Sequence, residues 1–346
     1  MTANATPPST AVRLGPFVLA NPWILAPMAG VSEKPFRNIA REMGAAATPT
    51  ELVSARGLSH GAKKTLAFLD HDPGEKPFWV QIFGGDPEDM AAGALRAKEL
   101  GADLIDVNMG CPVKKVTKTG SGSNLLRDPA RAAAIVEAIA ARTGLPVTAK
   151  IRTGWDDSSV NAVEMTRVLA EAGCVAVAVH GRTRAQAYSG LADWSVITQV
   201  ARAASIPVIG NGDIRSAEDG HRRMRDSGCA AVMIGRGAMG NPWLFAELLQ
   251  GKGARPTAGA RWQVVHRHLI EHVARFTSEL AGVRSFRMSL SWYARGLVGA
   301  AAFRRVAVRI DTLAELVPFC ERFFCAAVPA PGPAEELELD VSGALG

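Results

Sequence analysis

Residues 108–116 read NMGCPVKKV, directly after the apolar run LIDV (104–107). Cys111 therefore sits between a glycine and a proline where a strand pattern ends, and Lys114 and Lys115 follow in the same loop. Gly110 and Pro112 favour a turn, which would aim the sulfhydryl off the strand end and into whatever opening lies there. Three chemistries are open to such a cysteine. As a metal ligand it would want companions at close spacing, and none lies near. As a nucleophile it would want a histidine base, which His180 could supply. As an acid, a thiol with an ordinary pKa of about 8.5 stays mostly protonated at neutral pH and can hand a proton to an enolate carbon. Lys114, Lys115 and Lys118 are either a solvated charge run or contacts to the phosphates of a nucleic acid.

A second set of residues could hold an anionic cofactor. VIGNGDIRS (208–216) and MIGRGAMGNPW (233–243) are glycine-rich loops, each entering a helical pattern, and Arg236 adds charge to the second. Backbone N–H groups at such a loop and at a helix start suit a phosphate. Lys150 ends another strand pattern. There it could neutralise the N1–C2=O edge of a reduced flavin, or equally serve as a Schiff-base lysine. Gln81 can both donate and accept toward a pyrimidine-like edge. The backbone of Pro27–Ala29 could pack against a ring. His266, His268 and His272 fall on a solvent-patterned helical stretch and read as surface or packing residues, so no metal site is expected.

Eight short apolar runs must position these groups: WILAP (23–27), PTELV (49–53), PFWVQIF (77–83), LIDVNM (104–109), PVTAKI (146–151), VAVAVH (175–180), IPVIGN (206–211) and AVMIGR (231–236). Helical patterns at 35–43, 86–100, 129–142, 160–172, 194–203, 216–227 and 241–250 alternate with them. Asp128-Pro129 has the form of an N-cap with proline at the first helical position, and Gly101, Gly144 and Gly173 follow helical ends. Near-continuous apolar strands, each followed by a helix, predict an α/β fold, a closed parallel (β/α)8 or TIM barrel. A doubly wound sheet would want a GxGxxG after its first strand, and MAGVSEKPF is not one. In a barrel the chemistry lies at the C-terminal strand ends. The polar residues there are Met28 with its neighbours, Glu51, Gln81, Asn108 with Cys111, Lys150 with Arg152, His180 with Arg182, Asn211 with Asp213, and Gly235 with Arg236. After Gly251 the strands stop. Helical spacing at 262–280, 284–298 and 311–325 predicts a smaller all-helical domain over 258–328, following a barrel domain at 11–255, with flexible ends at 1–10 and 329–346.

The chain has 346 residues, 48% hydrophobic and 21% charged, with a net charge of +6. The tail from Val328 carries four acids and neither lysine nor arginine, so the rest of the chain holds +10. A basic body suits a polyanionic partner. Five cysteines with no CxxC pair do not form a disulfide framework. The first ten residues lack the features of a signal peptide, and no apolar run approaches the ~18 residues that span a bilayer. A cytoplasmic monomer with no membrane partner is the expectation.

With these residues in place, the chain resembles the tRNA-dihydrouridine synthases, flavin enzymes that reduce uridine in the D-loop of tRNA. IDVNMGCPVKKVTKTGSGS (105–123) carries the likeness. APMAGVSEKPFR (26–37), QIFG (81–84), KIRTGW (150–155), HGRTR (180–184), NGDI (211–214) and GRGAMGNPW (235–243) follow in family order. The pattern is most similar to the B-type bacterial branch. The resemblance implies FMN bound by Pro27, Met28, Ala29, Gln81, Lys150, Asn211, Gly212, Asp213, Gly235 and Arg236, with His180 against the ring. It implies NADPH as reductant and Cys111 as the acid that protonates C5 of uracil. Asn108, Arg152 and Arg182 would lie near a base taken out of its stack. Lys114, Lys115, Arg284 and Arg287 would meet tRNA. Two departures stand out: Asn124 where the family often has a small residue, and Met288-Ser289 where related sequences have a basic pair. Two other readings fit the residues less well. An FMN barrel acting on a free pyrimidine, like dihydroorotate dehydrogenases, has no need of a basic helical domain. An RNA-binding protein without chemistry has no need of Cys111, Lys150 and Gln81 together.

Overall fold

The structure, a computed structural model, describes residues 11–330 apart from the side chain of Lys252. The termini at 1–10 and 331–346 lie outside the described residues. Val12–Leu14 (β1) and Phe17–Leu19 (β2) pair antiparallel through a turn at Gly15, a hairpin too short to show in the sequence pattern. The parallel strands are Trp23–Leu25 (β3), Val53–Ser54 (β4), Trp79–Phe83 (β5), Leu104–Met109 (β6), Val147–Arg152 (β7), Cys174–His180 (β8), Val208–Asn211 (β9) and Ala231–Ile234 (β10). They run in the order β3-β10-β9-β8-β7-β6-β5-β4. The ring closes where Ala47 bridges Ile24 and Thr50 N donates to Trp79 O at 3.0 Å or less, so an irregular segment stands where PTELV predicted a full strand. Only Val53 and Ser54 of that segment are regular. The architecture is a TIM barrel followed by helices.

The strands are apolar on both faces because both faces are covered. Outside, Val80, Ile82, Ile105, Val107, Val177 and Val179 pack against the helices. Inside, Ile24, Trp79, Leu104, Ala176, Ile209 and Met233 form a separate plug, and the β1–β2 hairpin adds Val12, Leu14 and Leu19. That plug fills the barrel opposite the C-terminal strand ends, which leaves only those ends open. The helices begin as their caps direct. Asp128 accepts from Arg131 N at 3.1 Å ahead of Pro129, and Gly144 ends the same helix (Pro129–Thr143) at φ 65°.

Four helices follow the barrel: Ala258–Val273, Glu279–Tyr293, Ala300–Ala307 and Leu313–Cys325. The pattern at 262–280 thus starts earlier and breaks near Ala274, and the helix at 300–307 was not separately anticipated. These helices share their own core of Val265, Leu269, Phe286, Leu290, Phe303, Leu316 and Phe324. Gly240, at φ 67°, brings the loop after β10 against them; a Cβ there would sit 2.3 Å from the carbonyl carbon of Trp292. Residues 329 and 330, expected to be free tail, are held at 296–297 by a bridge from Leu297 to Pro329 and by Ala330 N donating to Gly296 O at 2.8 Å. Among the described residues no helix is long and apolar enough to cross a membrane.

Candidate active site

The C-terminal strand ends surround a cleft enclosing about 1180 Å³ of space open to solvent. Its wall gathers Pro27, Met28 and Ala29 after β3, Gln81 on β5, and Asn108 with Cys111 at the end of β6. Lys150 and Arg152 come from β7, His180 from β8, Asn211, Gly212 and Asp213 from β9, and Gly235 and Arg236 from β10. Eleven positions anticipated for a cofactor therefore meet on one surface, together with Cys111. Tyr188 and Arg215 also line it. Nothing in the sequence pattern distinguished them, because both sit in loops whose direction depends on the barrel closing.

Cys111 is partly exposed at the mouth. Its amide donates to Asn108 Oδ1 at 2.9 Å, and its carbonyl accepts from Ser123 N at 3.1 Å and Ser123 Oγ at 2.9 Å. Gly122, at φ 60°, lets the chain return under it; a Cβ there would lie 2.9 Å from the Cys111 carbonyl oxygen. Arg152 Nε donates to Gly110 O at 2.7 Å from the other side. Burial pushes the thiol pKa up against the Val113 backbone hydrogen bond and the charges of Arg152 and Lys150, so the sulfur carries its proton at neutral pH. That environment suits an acid better than a thiolate nucleophile.

Lys150 is half-buried, and its ammonium donates to Asn211 Oδ1 at 3.0 Å. Burial first, then the neighbouring Arg152, lowers its pKa to about 8. His180 is held neutral by burial and by four surrounding cations, Arg152, Lys150, Arg182 and Arg236. Arg182 Nη1 lies 3.3 Å from His180 Nε2. An arginine can only donate, so that nitrogen accepts and the ring proton sits on Nδ1. With its pKa lowered and its Nε2 turned to Arg182, His180 is a weak base.

Arg182, expected near the substrate, is 1% exposed and absent from the cleft wall, and its Nη2 ion-pairs Asp213 at 2.8 Å. Asp213, at φ 49°, also accepts from Arg236 at 2.9 Å and from Ala192 N at 2.7 Å. Burial works against its charge, yet that amide and the two guanidiniums hold its carboxyl below the usual range. Arg152 lines the cleft, but its Nη1 is engaged by the carbonyls of Thr183 and Ala187 at 2.9 and 2.7 Å. It props the loops on either side of the mouth.

Lys114 and Lys115 are exposed on a short helix, Lys114–Thr117, outside the cleft wall but in the loop that carries Cys111. Arg284 and Arg287 ion-pair Asp311 at 2.9 and 2.7 Å, far along the chain from that loop. Asn124 Nδ2 donates to Thr117 O at 3.0 Å and so fastens the same loop, while Met288 is exposed. Glu51 lies behind the wall. It accepts from Gly30 N at 2.8 Å, and burial raises its pKa to about 7. Among the described residues no group of three or more His, Cys, Asp or Glu is placed to hold a metal.

Residues 24–328 match the family model described as dihydrouridine synthase. The chain belongs to that family. A dihydrouridine synthase fold explains why the polar strand ends, scattered over more than 200 residues of sequence, share one cleft. Over 297 residues the chain is 43% identical to tRNA-dihydrouridine synthase B of Pseudomonas aeruginosa, covering 85% of this chain and 90% of the relative. It is 39% identical to the protein of the same name from Pseudomonas syringae pv. tomato, covering 95% and 99%. A probable tRNA-dihydrouridine synthase 1 from Synechocystis is 38% identical, covering 88% and 86%.

Two features of this dihydrouridine synthase were missed in the sequence. Asp106 is 1% exposed inside β6, hidden within what reads as an apolar run. Its carboxylate accepts from Gln81 Nε2 at 2.6 Å and from Thr148 Oγ1 at 2.7 Å. The second is a buried cluster where the helices meet the barrel. Glu33 Oε1 contacts His272 Nδ1 and lies 3.4 Å from His268 Nε2, and Glu33 Oε2 accepts from Arg275 at 2.7 Å. His268 and His272 are buried packing residues, not part of a solvent face.

Proposed function

We propose that the protein reduces the C5=C6 bond of a uridine in the D-loop of tRNA, using FMN with NADPH as reductant, and that Cys111 supplies the proton to C5. The observation that carries this reading is that Cys111 and a half-buried Lys150 share the wall of one cleft. The residues present fit a flavin. The cleft gathers Lys150, Arg152, Arg215 and Arg236, and the one carboxylate on its wall, Asp213, is already committed to arginines. Such a wall favours an anionic ring system with a phosphate. Gly212, Gly235 and Gly237 bring the backbone of the two loops after β9 and β10 to the cleft wall, where that phosphate would meet it.

Bound FMN, once reduced, supplies the hydride that reaches C6 of the uracil. Lys150 would hold the ring system and offset the charge of its reduced form, and Asn108 holds the loop that aims Cys111. The sulfhydryl gives its proton to C5, and the sulfur regains one from solvent. Residues 11–255 would carry the chemistry. Residues 258–328, with Lys114 and Lys115 at the mouth, would hold the tRNA through its phosphates. Arg284 and Arg287 would contribute there only by exchanging Asp311 for a phosphate.

The test is direct. Purified protein loaded with FMN, given NADPH and tRNA lacking dihydrouridine, should add two hydrogens to a D-loop uridine, read by mass mapping of nuclease fragments. A fully loaded flavoprotein that leaves the tRNA unchanged would end this reading.

A further inference from the structure

Five side chains on β5, β6 and β7 and the backbone amide of Cys111 form one hydrogen-bonded chain that runs up to the cleft wall. Trp79 Nε1 donates to Thr148 Oγ1 at 3.2 Å, and Thr148 Oγ1 donates to Asp106 Oδ1 at 2.7 Å. Gln81 Nε2 donates to Asp106 Oδ2 at 2.6 Å, and Asn108 Nδ2 donates to Gln81 Oε1 at 2.8 Å. Cys111 N closes the chain by donating to Asn108 Oδ1 at 2.9 Å. Two side-chain amides can each turn either way, so the ends must decide. The backbone N–H of Cys111 can only donate, and an ionised Asp106 can only accept. Both ends therefore impose one direction. Each amide then keeps one N–H outside the chain, and Gln81 and Asn108 both line the cleft.

We propose that Asp106 is a positioning residue that makes Gln81 and Asn108 offer N–H donors to the cleft, so that this wall takes the acceptor edge, a carbonyl oxygen or unprotonated ring nitrogen, of the bound flavin or of the pyrimidine. The proposal deepens the flavin reading above and rests on it. Asp106 is not on the cleft wall and acts through Gln81. Burial lifts its pKa to about 6, with Gln81, Thr148 and the charge of Lys150 pulling the other way. A proton on Asp106 would let Gln81 reverse. Asn108 would then have to turn its own NH2 against the amide of Cys111, so the loop that carries the sulfur is coupled to the same carboxylate.

The decisive variant exchanges the groups, Gln81→Glu with Asp106→Asn. It keeps volume and carboxylate count and restores every pairing, but residue 81 then faces the cleft as an acceptor. It should melt within a few degrees of wild type and lose cleft affinity at least about tenfold, the cost of opposing two acceptors. Asp106→Asn alone can still turn its oxygen to Gln81 and should stay within about threefold of wild type. A weakened FMN dissociation constant assigns the acceptor edge to the flavin. An unchanged FMN constant with a raised KM for tRNA assigns it to the base. A folded exchange variant that binds both as wild type does would overturn the proposal. If the exchange does not fold, pH serves instead. Wild type should lose affinity as pH falls through about 6, with Lys150 charged and His180 neutral throughout, and Asp106→Asn should not. A shared acid limb would equally overturn it. Wild-type protein that takes up no FMN would instead refute the flavin reading.

Discussion

Burial disfavours the charged form of both Lys150 and Cys111, and each makes a distinct prediction. Lys150 has a folded pKa of about 8 against an ordinary value near 10.5, so its stabilising contribution is present above the unfolded value and lost as pH falls through 8. At pH 7 the flavin-free protein therefore holds a charged group that its surroundings oppose. Lys150→Met should raise stability of that form at pH 7 by roughly 1 kcal/mol, about 2 °C in melting temperature. The gain should vanish near pH 10.5, where wild-type Lys150 is neutral too. Turnover should fall by about two orders of magnitude or more. A variant less stable than wild type at pH 7 would mean that Lys150 supports the fold, not the ring. Cys111 has its pKa raised by burial, so the thiol form persists through neutral pH. Cys111→Ala should retain FMN and its reduction by NADPH but lose about 10² to 10⁴ of tRNA turnover, the usual contribution of a positioned acid. Turnover within tenfold of wild type would remove the sulfur from the proton-transfer step.

The loop from Gly110 to Arg127 works as an element because both its ends are pinned by β7 and the segment that follows it. Arg152 on β7 holds Gly110 O, and Asn161 Nδ2 donates to Leu126 O at 2.7 Å from the loop after β7. Between them Gly122 sits at φ 60°, close under Cys111. Gly122→Val would have to pass both a left-handed backbone and a contact at 2.9 Å to the Cys111 carbonyl oxygen. It should cost about 2 kcal/mol and lower turnover more than FMN affinity. Equal loss of both would mean that the whole cleft, not the loop, had moved. Much at this scale was legible in the sequence. Val177 and Val179 alternate with Ala176 and Ala178 on a strand covered on both faces, so its run is unbroken, and Asp128-Pro129 caps a helix through contacts three residues away. Segment 46–52 was not legible as irregular, since PTELV has strand composition and only ring closure decides how its amides pair. Asp106 was hidden for the opposite reason. Its partners Gln81 and Thr148 lie on neighbouring strands, so no local pattern marks it as anything but a misfit in an apolar run.

At the scale of the whole molecule, the helices are fastened to the barrel through the same loop that forms one wall of the cleft. Pro27, Met28 and Ala29 line the cleft, and Glu33, four residues further on, is gripped by His268, His272 and Arg275. His268 Nδ1 in turn shares a hydrogen bond of 2.9 Å with the Tyr293 hydroxyl. These contacts join positions 235 to 242 residues apart, which is why the histidines could read as surface residues from spacing alone. Burial opposes the Glu33 charge, but hydrogen bonds from the two histidines and their charge outweigh it and hold the carboxyl well below the usual range. Its folded pKa is depressed, so its contribution is present above the unfolded value of 4.5 and is lost as pH falls below it. Glu33→Gln removes the carboxylate and leaves Arg275 facing a neutral group in a partly buried site. It should destabilise the protein by about 3 kcal/mol at pH 7, as the loss of one member of a buried ion pair does. The difference from wild type should shrink steadily below pH 4.5, where Glu33 takes up a proton in the unfolded chain while the folded protein still holds it ionised. Because the clasp and the cleft share one loop, the variant should also bind FMN more weakly, even at temperatures where it is fully folded. Thermal melts and FMN titrations across pH 4 to 8 check both effects. A variant that melts lower yet binds FMN as wild type does would show that the helices anchor the loop without shaping the cleft.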